Sequence, residues 1–136
     1  MLHRIKKEND MHAGKWNGLG GKFEPHETPE ECAIREIYEE SGLKADSLNL
    51  KGVITFPEFS KGEDWYVFVF VVNEFHGELI ESNEGELHWI DDDKLLGLNL
   101  WDGDEIFIKW LDKKEFFSAM FHYKNGLLEK HSEYFY

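Results

Sequence analysis

One run in the sequence strongly restricts the fold: WYVFVFVVN, from Trp65 to Asn73. It is almost continuously apolar and is rich in β-branched and aromatic residues. Polar residues do not alternate with apolar ones, as they would in a strand with one face in water. The run therefore predicts a β-strand that is covered on both faces and lies near the middle of a sheet.

Other strand-like runs lie on both sides of this one. The segment Lys51 to Phe59 (KGVITFPEF) predicts a strand that is halted by Pro57, because proline cannot donate to a ladder. The segment ELHWI, Glu86 to Ile90, predicts a short third strand. Near the end, FFSAMFHY and LLEKHSEYF flank Asn125-Gly126, and Asn-Gly between strand-like runs is a strong hairpin signal.

Two segments carry helix signals. Thr28 predicts an N-cap with Pro29 at the first helical position, and Glu31 completes a capping box. Gly42 predicts the end of that helix. A second helix is predicted to begin at Asp104, which would cap it. Its apolar face would consist of Ile106, Phe107, Trp110 and Leu111. Strands with interspersed helices favour an α/β (α+β) sandwich.

The composition limits the size and setting of the protein. The chain has 136 residues, of which 41% are hydrophobic, enough for one core and a single domain over residues 1–136. Its one cysteine, Cys32, cannot form an intrachain disulfide, which suits a reducing cytoplasm. No apolar run is long enough for a membrane span, and the first ten residues lack the apolar core of a signal peptide. We therefore predict a soluble cytoplasmic protein without a membrane partner.

The charge limits the partners. The formal net charge is −13, and a polyanion such as DNA or RNA is bound mainly through clustered lysines and arginines. This acidity argues against a nucleic-acid polymer. A small anion that is brought in by a metal ion stays open.

The first predicted helix is unusual because it crowds like charges together. Seven glutamates lie between residues 20 and 43. At about 100° per residue, Glu36, Glu39 and Glu40 gather beside an apolar stripe that should face the core. The stripe consists of Ala33, Ile34, Ile37 and Tyr38. The acidic cluster is thus adjacent to the predicted buried face.

Two explanations fit this cluster. Like-charge pairs at i,i+3 and i,i+4 each destabilise a bare helix by roughly 0.2 to 0.5 kcal/mol, which a solvated helix face tolerates. Alternatively, the carboxylates hold a divalent cation such as Mg²⁺, which prefers oxygen ligands. The glycines at positions 18, 20 and 21 favour the second explanation, because they let a carbonyl or a ligand approach closely.

The spacing from Gly21 onward resembles a known motif. Gly21, five residues, Glu27, seven residues and then REIYEESGL (Arg35 to Leu43) is similar at every fixed position to the Nudix box, G-x5-E-x7-R-E-U-x-E-E-x-G-U with U apolar. In that family the box forms a loop-helix-loop that binds Mg²⁺ or Mn²⁺ and hydrolyses nucleoside diphosphate derivatives. The implied fold is a Nudix-type mixed β-sheet sandwiched between helices.

The resemblance also implies roles for the residues of the box. Glu36, Glu39, Glu40 and the carbonyl of Gly21 would be metal ligands. Arg35 and Glu27 would brace the helix and the loop. A metal-polarised water would attack a phosphorus atom. Glu36, or a carboxylate outside the box such as Glu84, would take its proton, although Glu84 suits an ordinary turn equally well.

Segments outside the box look like the MutT-type 8-oxo-dGTP diphosphatases. They are KKENDMHAGKWNGLGGKFEPHET, GVITFPEF and LWDGDEIF. The resemblance implies that an amide and a carboxylate, here Asn17 and Asp104, read an oxidised purine, while aromatic residues enclose its ring. The candidate substrate-binding residues are Asn17, Trp16, Lys22, Trp101, Asp104 and Phe56, with Trp65 as a further aromatic candidate. The substrate implied is 8-oxo-dGTP, which would give monophosphate and pyrophosphate in nucleotide-pool sanitisation.

The chain departs from the pattern of that branch in two places. Relatives have two adjacent acids after Trp-Pro, whereas here Gly103 separates Asp102 from Asp104. Asp104 also suits a helix cap, and Asn17 also suits a turn before Gly18. A strand that usually precedes the start is apparently missing, and an uncovered sheet edge invites pairing with a second chain, so monomer and homodimer stay open.

Two rival functions stay open as well. One is the same chemistry on another substrate, such as ordinary dNTPs, ADP-ribose or an RNA 5′ end. The other is a non-catalytic Nudix-like module that binds a nucleotide. The intact set of Arg35, Glu36, Glu39 and Glu40 favours an enzyme, because a pure binder has no need of all of them.

Overall fold

The computed structural model describes residues 1–3, 14–83 and 85–136. These residues form a mixed α+β fold, as predicted. The strands are β1 (Leu2–His3), β2 (Trp16–Asn17), β3 (Leu43–Ala45), β4 (Asn49–Ser60), β5 (Glu63–Val71), β6 (Phe75–Gly77), β7 (Glu86–Leu87), β8 (Phe117–Lys124) and β9 (Leu127–Phe135). The α-helices are α1 (Pro29–Ser41) and α2 (Asp102–Phe107), and 3-10 turns cover Asp92–Gly97 and Ile108–Trp110.

The described residues divide into two compact units. Unit 1 consists of Met1–Leu48 and Val72–Trp101, and unit 2 of Asn49–Val71 and Asp102–Tyr136. Among the described residues, no helix has the length and apolar character needed to cross a membrane.

Unit 1 contains α1 and two small antiparallel sheets. One sheet has the order β2-β1-β7, and β3 pairs with β6 in the other. The strand β7 is shorter than the predicted Glu86 to Ile90. The backbone N–H of His88 instead donates to the carbonyl of Met1 at 3.0 Å.

The boundaries of α1 are confirmed. The hydroxyl of Thr28 accepts the N–H of Glu31 at 3.1 Å, and the Glu31 carboxylate accepts the N–H of Thr28, also at 3.1 Å. This reciprocal pair satisfies two backbone donors at the helix start. At the other end Gly42 has a φ of 80°, a left-handed conformation that favours glycine, and its N–H donates to the carbonyl of Tyr38.

The predicted apolar face of α1 is partly wrong. Ile34 and Tyr38 are 41% and 50% exposed. The buried residues of the helix are Cys32, Glu40 and Ser41. Of the three clustered glutamates it is Glu40 that is buried, where the backbone N–H of Gly20 compensates its carboxylate, so part of the buried face is polar.

Unit 2 contains a four-stranded sheet with the order β5-β4-β8-β9. Strands β4 and β8 run parallel, and the other two pairs are antiparallel. Alternate residues of β8 are buried, and Phe117, Phe121 and Ile54 are almost fully inaccessible to solvent. The core of this unit therefore lies against β4 and β8.

Two strand predictions in unit 2 are wrong. Among the described strands β5 lies at the sheet edge, with Tyr66 63% exposed, because β4 takes the central place by pairing with both β5 and β8. Strand β4 also continues past Pro57 to Ser60. The pairing register shifts between Phe56 and Ser60, so the proline lies in an irregular stretch that needs no ladder donor.

The last part of unit 2 confirms the hairpin and corrects the second helix. Asn125 and Gly126 have φ values of 55° and 77° and connect β8 to β9.

The helix α2 begins at Asp102, so Asp104 lies in its first turn and is not its N-cap. The N–H of Gly103, one of the first backbone donors of the helix, is satisfied by a tyrosine hydroxyl. The predicted missing strand and the layering of helices around a sheet stay predictions.

Candidate active site

The loop before α1 is fastened to the helix by Arg35. Its Nε–H donates to Oε2 of Glu27 at 2.7 Å, and an Nη2–H donates to Oε1 of the same carboxylate at 2.9 Å. Nη2 also donates to the carbonyl of Lys22 at 2.9 Å. One side chain thus contacts both a carboxylate and a backbone carbonyl of the loop.

The ion pair shifts the titration of both groups. The Arg35 guanidinium, followed by the backbone N–H of Glu24, lowers the pKa of Glu27 below its ordinary value of 4.5. Hydrogen bonds to Glu27 and then to Glu36 raise the pKa of Arg35 above its ordinary value. Both groups therefore stay charged at neutral pH.

The three clustered glutamates of α1 have different environments. The Nη1 group of Arg35 donates to Oε1 of Glu36 at 2.6 Å and to Oε2 of Glu39 at 3.2 Å. Glu40 is buried, and its Oε1 accepts the backbone N–H of Gly20 at 2.7 Å. A guanidinium and a backbone donor therefore compensate the like charges that the sequence brings together.

Gly21 lies directly against one of these carboxylates. A Cβ atom at this position would lie 2.5 Å from Oε2 of Glu36, closer than real Cβ contacts allow. Its carbonyl oxygen lies 3.8 Å from Sγ of Cys32. Burial, and then the nearby Glu27 charge, raise the pKa of the Cys32 thiol, which suits a packing residue and not a nucleophile.

The three clustered glutamates and the carbonyl of Gly21 are the predicted ligands of a metal ion. Among the described residues, no three His, Cys, Asp or Glu side chains are arranged so as to hold a metal ion. The donor chemistry does fit a hard cation, because three carboxylates and one carbonyl are all oxygen ligands. The Arg35 guanidinium already bridges Glu36 and Glu39, which shows that a positive group is accommodated between them.

Four predicted substrate-binding residues also belong to unit 1. The backbone of Trp16 donates to the carbonyl of Asn99 at 3.0 Å, and Lys22 lies exposed next to Gly21. Nζ of Lys15 lies 5.2 Å from the centre of the Trp101 ring, a cation–π contact.

Asn17 is the fourth of them. It pairs with Leu2 in the short β1-β2 ladder. Its Oδ1 atom is buried and has no hydrogen-bond partner among the described residues. A buried acceptor without a donor is rare and requires an explanation.

The remaining candidate site residues belong to unit 2, except for one that lies outside the residues that the structure describes. The ring of Phe56 stacks on Tyr123, with centroids 6.2 Å apart, and Phe59 contacts both Phe56 and Trp65. These rings form one aromatic cluster. Asp104 lies in the first turn of α2. Glu84 lies outside the described residues.

Sequence reasoning missed two interactions. The N–H of Gly20 holds Glu40, and the hydroxyl of Tyr123 holds Gly103. The second had a usable signal, because the alternation in β8 predicts that Tyr123 faces inward, where its hydroxyl needs a partner.

The sequence of this chain matches one protein family and is similar to several known proteins. The NUDIX domain family matches residues 1–111. The oxidized purine nucleoside triphosphate hydrolase of Danio rerio is 36% identical over 118 residues, which are 87% of this chain and 76% of the relative. The protein of the same name in Mus musculus is 35% identical over 119 residues, 88% of this chain and 76% of that relative.

Solved structures show the same likeness. The MutT protein of Bacillus halodurans matches with a TM-score of 0.85 and 30% identity, over 97% of this chain and 86% of that one. A MutT NUDIX hydrolase from Burkholderia pseudomallei matches with a TM-score of 0.66 and 29% identity, over 79% and 84% of the two chains. The chain therefore belongs to the Nudix family and is a MutT-type Nudix hydrolase.

Proposed function

We propose that this chain hydrolyses oxidised purine nucleoside triphosphates to monophosphate and pyrophosphate, with 8-oxo-dGTP as the preferred substrate. Its role would be to remove oxidised purines from the nucleotide pool. The names of the two vertebrate relatives support this substrate class. So does the name of a bacterial relative, "Putative 8-oxo-dGTP diphosphatase 3" of Mycobacterium tuberculosis, which is 32% identical over 94 residues.

One observation carries the proposal: the Oδ1 atom of Asn17 is buried and finds no hydrogen-bond partner among the residues that the structure describes. Leaving a buried acceptor unsatisfied costs about 1 to 3 kcal/mol, and the N–H edge of a purine supplies the donor that it lacks. A site built around such an oxygen rejects a base without the matching donor, because the oxygen is then left unpaired again. Asn17 is therefore our first purine contact.

Nudix hydrolases generally use divalent metal ions. For this chain we propose Mg²⁺, with Mn²⁺ able to replace it. Glu36, Glu39, Glu40 and the carbonyl of Gly21 would hold the ion. When bound, it would polarise a water and neutralise phosphate charge. The net charge of −13 makes such a cation more necessary for binding a triphosphate.

The side chains of the protein would accept the proton, orient the ligands and hold the loop against α1. Glu36 or Glu84 would accept a proton from the attacking water. Glu40 is held by the N–H of Gly20, which orients its carboxylate before any ligand arrives. Arg35 and Glu27 would keep the loop and α1 in register, so that Gly21 stays beside Glu36.

The other substrate contacts are proposed from their match to the MutT-type pattern. In unit 1 these are Trp16, Lys22 and Trp101, where an exposed lysine suits a phosphate and the indole rings suit a base. In unit 2 they are Phe56 and Asp104. Asp104 lies in the first turn of α2.

We propose further that residues 1–136 form a single domain, as a monomer or a homodimer. The parallel pairing of β4 with β8 supports this, since it ties the chain beyond residue 111 to the part that the family matches. A cytoplasmic location is proposed because the lone, buried cysteine needs no oxidising compartment. The acidic charge supports a small nucleotide partner in place of a nucleic-acid polymer.

The test is a substrate panel with Mg²⁺, in which kcat/KM is compared for 8-oxo-dGTP, dGTP, dATP, ADP-ribose and a 5′-triphosphate RNA. We expect 8-oxo-dGTP to be preferred over dGTP, with release of pyrophosphate. Preference for ADP-ribose or RNA would contradict the substrate but keep the chemistry. No turnover of any substrate would contradict the enzyme and favour a binding module.

A further inference from the structure

The first turn of α2 is anchored to the neighbouring strand by one hydroxyl group. The backbone N–H of Gly103 donates to the hydroxyl oxygen of Tyr123, in β8, at 2.6 Å. Both residues are buried. A short hydrogen bond between two buried groups holds the turn more firmly than an exposed one, because water does not compete for it.

Gly103 leaves the space that this hydroxyl occupies. A Cβ atom on residue 103 would lie 2.7 Å from the hydroxyl oxygen of Tyr123 and 3.2 Å from Cγ of Phe121. Any side chain here would therefore push against the tyrosine. The glycine and the tyrosine hydroxyl fit as a pair, and each depends on the other.

A second anchor holds the same turn. Oδ2 of Asp102 accepts the backbone N–H of Leu128, in β9, at 3.0 Å. The carboxylate of Asp102 thus links the start of α2 to strand β9. In the proposed function it is Asp104, and not Asp102, that contacts the base.

We propose that Tyr123 is a positioning residue that determines substrate specificity: its hydroxyl fixes the first turn of α2 and so sets where the Asp104 carboxylate meets the purine. This inference rests on the proposed function, in which Asp104 contacts the base. It assigns to Tyr123 a part in choosing the oxidised purine, and none in the transfer of protons or phosphate.

The hydroxyl is suited to this role because it stays neutral. Burial raises the pKa of Tyr123 to about 12, and the carboxylates of Asp104, Asp102 and Glu105 also raise it, against the opposing effect of the Gly103 hydrogen bond. A neutral phenol accepts the N–H of Gly103 and keeps its own hydrogen to donate. The anchor should therefore act in the same way throughout the neutral range.

The first test is Tyr123→Phe, assayed with 8-oxo-dGTP and dGTP. Loss of one hydrogen bond should raise KM for 8-oxo-dGTP by roughly 2-fold to 13-fold, with kcat almost unchanged. The preference for 8-oxo-dGTP over dGTP should fall by the same factor. The matched control is Tyr134→Phe on β9, an exposed tyrosine, which should leave the preference unchanged.

The second test asks whether the hydroxyl acts through Gly103. Gly103→Ala should reduce the preference in the wild type, because the new methyl group displaces the Tyr123 hydroxyl. In the Tyr123→Phe background the same substitution should have a smaller effect, since the oxygen that it strikes is gone. Equal effects in the two backgrounds would overturn the inference.

The outcomes separate the inference from the proposed function. If the wild type prefers 8-oxo-dGTP and Tyr123→Phe lowers only the melting temperature, the tyrosine is merely structural and the inference is overturned alone. If the wild type hydrolyses nucleotides without this preference, both the substrate and the inference are overturned. A preference that falls with Tyr123→Phe and not with Tyr134→Phe supports both.

Discussion

Arg35 and Glu27 are joined at two points, with Nε 2.7 Å from Oε2 and Nη2 2.9 Å from Oε1. The two residues are eight positions apart, one in α1 and the other in the loop before it. Their parallel hydrogen bonds match a planar guanidinium to a planar carboxylate, which lysine cannot reproduce. The pair therefore sets the geometry of the loop that carries Gly21.

The first prediction concerns pH. Because Arg35 lowers the pKa of Glu27 below 4.5, the ionised carboxylate stabilises the fold above that pH, and this contribution is lost as the pH falls through the lowered pKa. Glu27→Gln removes it at every pH. The wild type should therefore have a higher melting temperature than Glu27→Gln, and this difference should be largest above pH 4.5. In more acidic solution the two melting temperatures should converge. Thermal unfolding across this range checks it.

A control for this experiment is Glu30→Gln, in the exposed first turn of the same helix. Its difference from the wild type should depend less on pH than that of Glu27→Gln. A difference between the wild type and Glu27→Gln that grows as the pH falls would contradict the prediction.

The second prediction uses two neighbouring glycines. Gly21→Ala places a methyl group against the Glu36 carboxylate, whereas Gly20→Ala meets nothing within 4 Å. Displacing Glu36 by about 1 Å should lower kcat by roughly 100-fold. Gly20→Ala keeps its N–H for Glu40 and should remain near wild type. Steady-state kinetics of the two variants, with circular dichroism to verify folding, provide the measurement.

The third prediction concerns Glu40. In Glu40→Gln the amide oxygen still accepts the N–H of Gly20, so the melting temperature without metal should stay within a few degrees of the wild type. The loss of one charged ligand should weaken Mn²⁺ binding and lower turnover by about 100-fold or more. Calorimetric titration with Mn²⁺ measures the first effect. Turnover like that of the wild type would exclude Glu40 as a metal ligand.

The fourth prediction concerns Asn17. Asn17→Ala removes a buried oxygen that has no partner within the described part of the chain, so it should leave the melting temperature unchanged or raise it. The same change should lower kcat/KM for 8-oxo-dGTP by roughly 10-fold to 100-fold. Asn99→Ala is a matched control, because the Asn99 amide donates to the carbonyl of Gly14 at 3.0 Å and its loss should reduce stability.

Much of the local structure follows from short-range patterns. The capping box at Thr28 and Glu31, the stop at Gly42 and the Asn125-Gly126 hairpin were all predictable, because each depends on backbone geometry and hydrogen bonds within a few residues. The spacing from Gly21 to Leu43 likewise predicts the family, and the family match over residues 1–111 confirms it.

Predictions that depend on distant neighbours were less successful. The apolar character of β5 is the same at a sheet edge as in its centre, so its place was decided by which strands pair with β4. Periodicity predicts that Ile34 and Tyr38 face inward, but both are exposed, while Glu40 is buried and accepts a hydrogen bond from Gly20. The sequence predicts Asp104 as a cap, but the helix begins at Asp102, and the N–H of Gly103 donates to a tyrosine hydroxyl on β8.

The sequence by itself determined the family, the extent of α1 and the set of acidic residues in the box, because covalent spacing and local hydrogen bonds are written into consecutive residues. Only the tertiary structure decided that Arg35 joins Glu27, that Asn17 has a buried oxygen without a described partner, and that Tyr123 holds Gly103. These contacts join residues that are separated along the chain or buried by packing, and no local pattern specifies which distant group fills a given space.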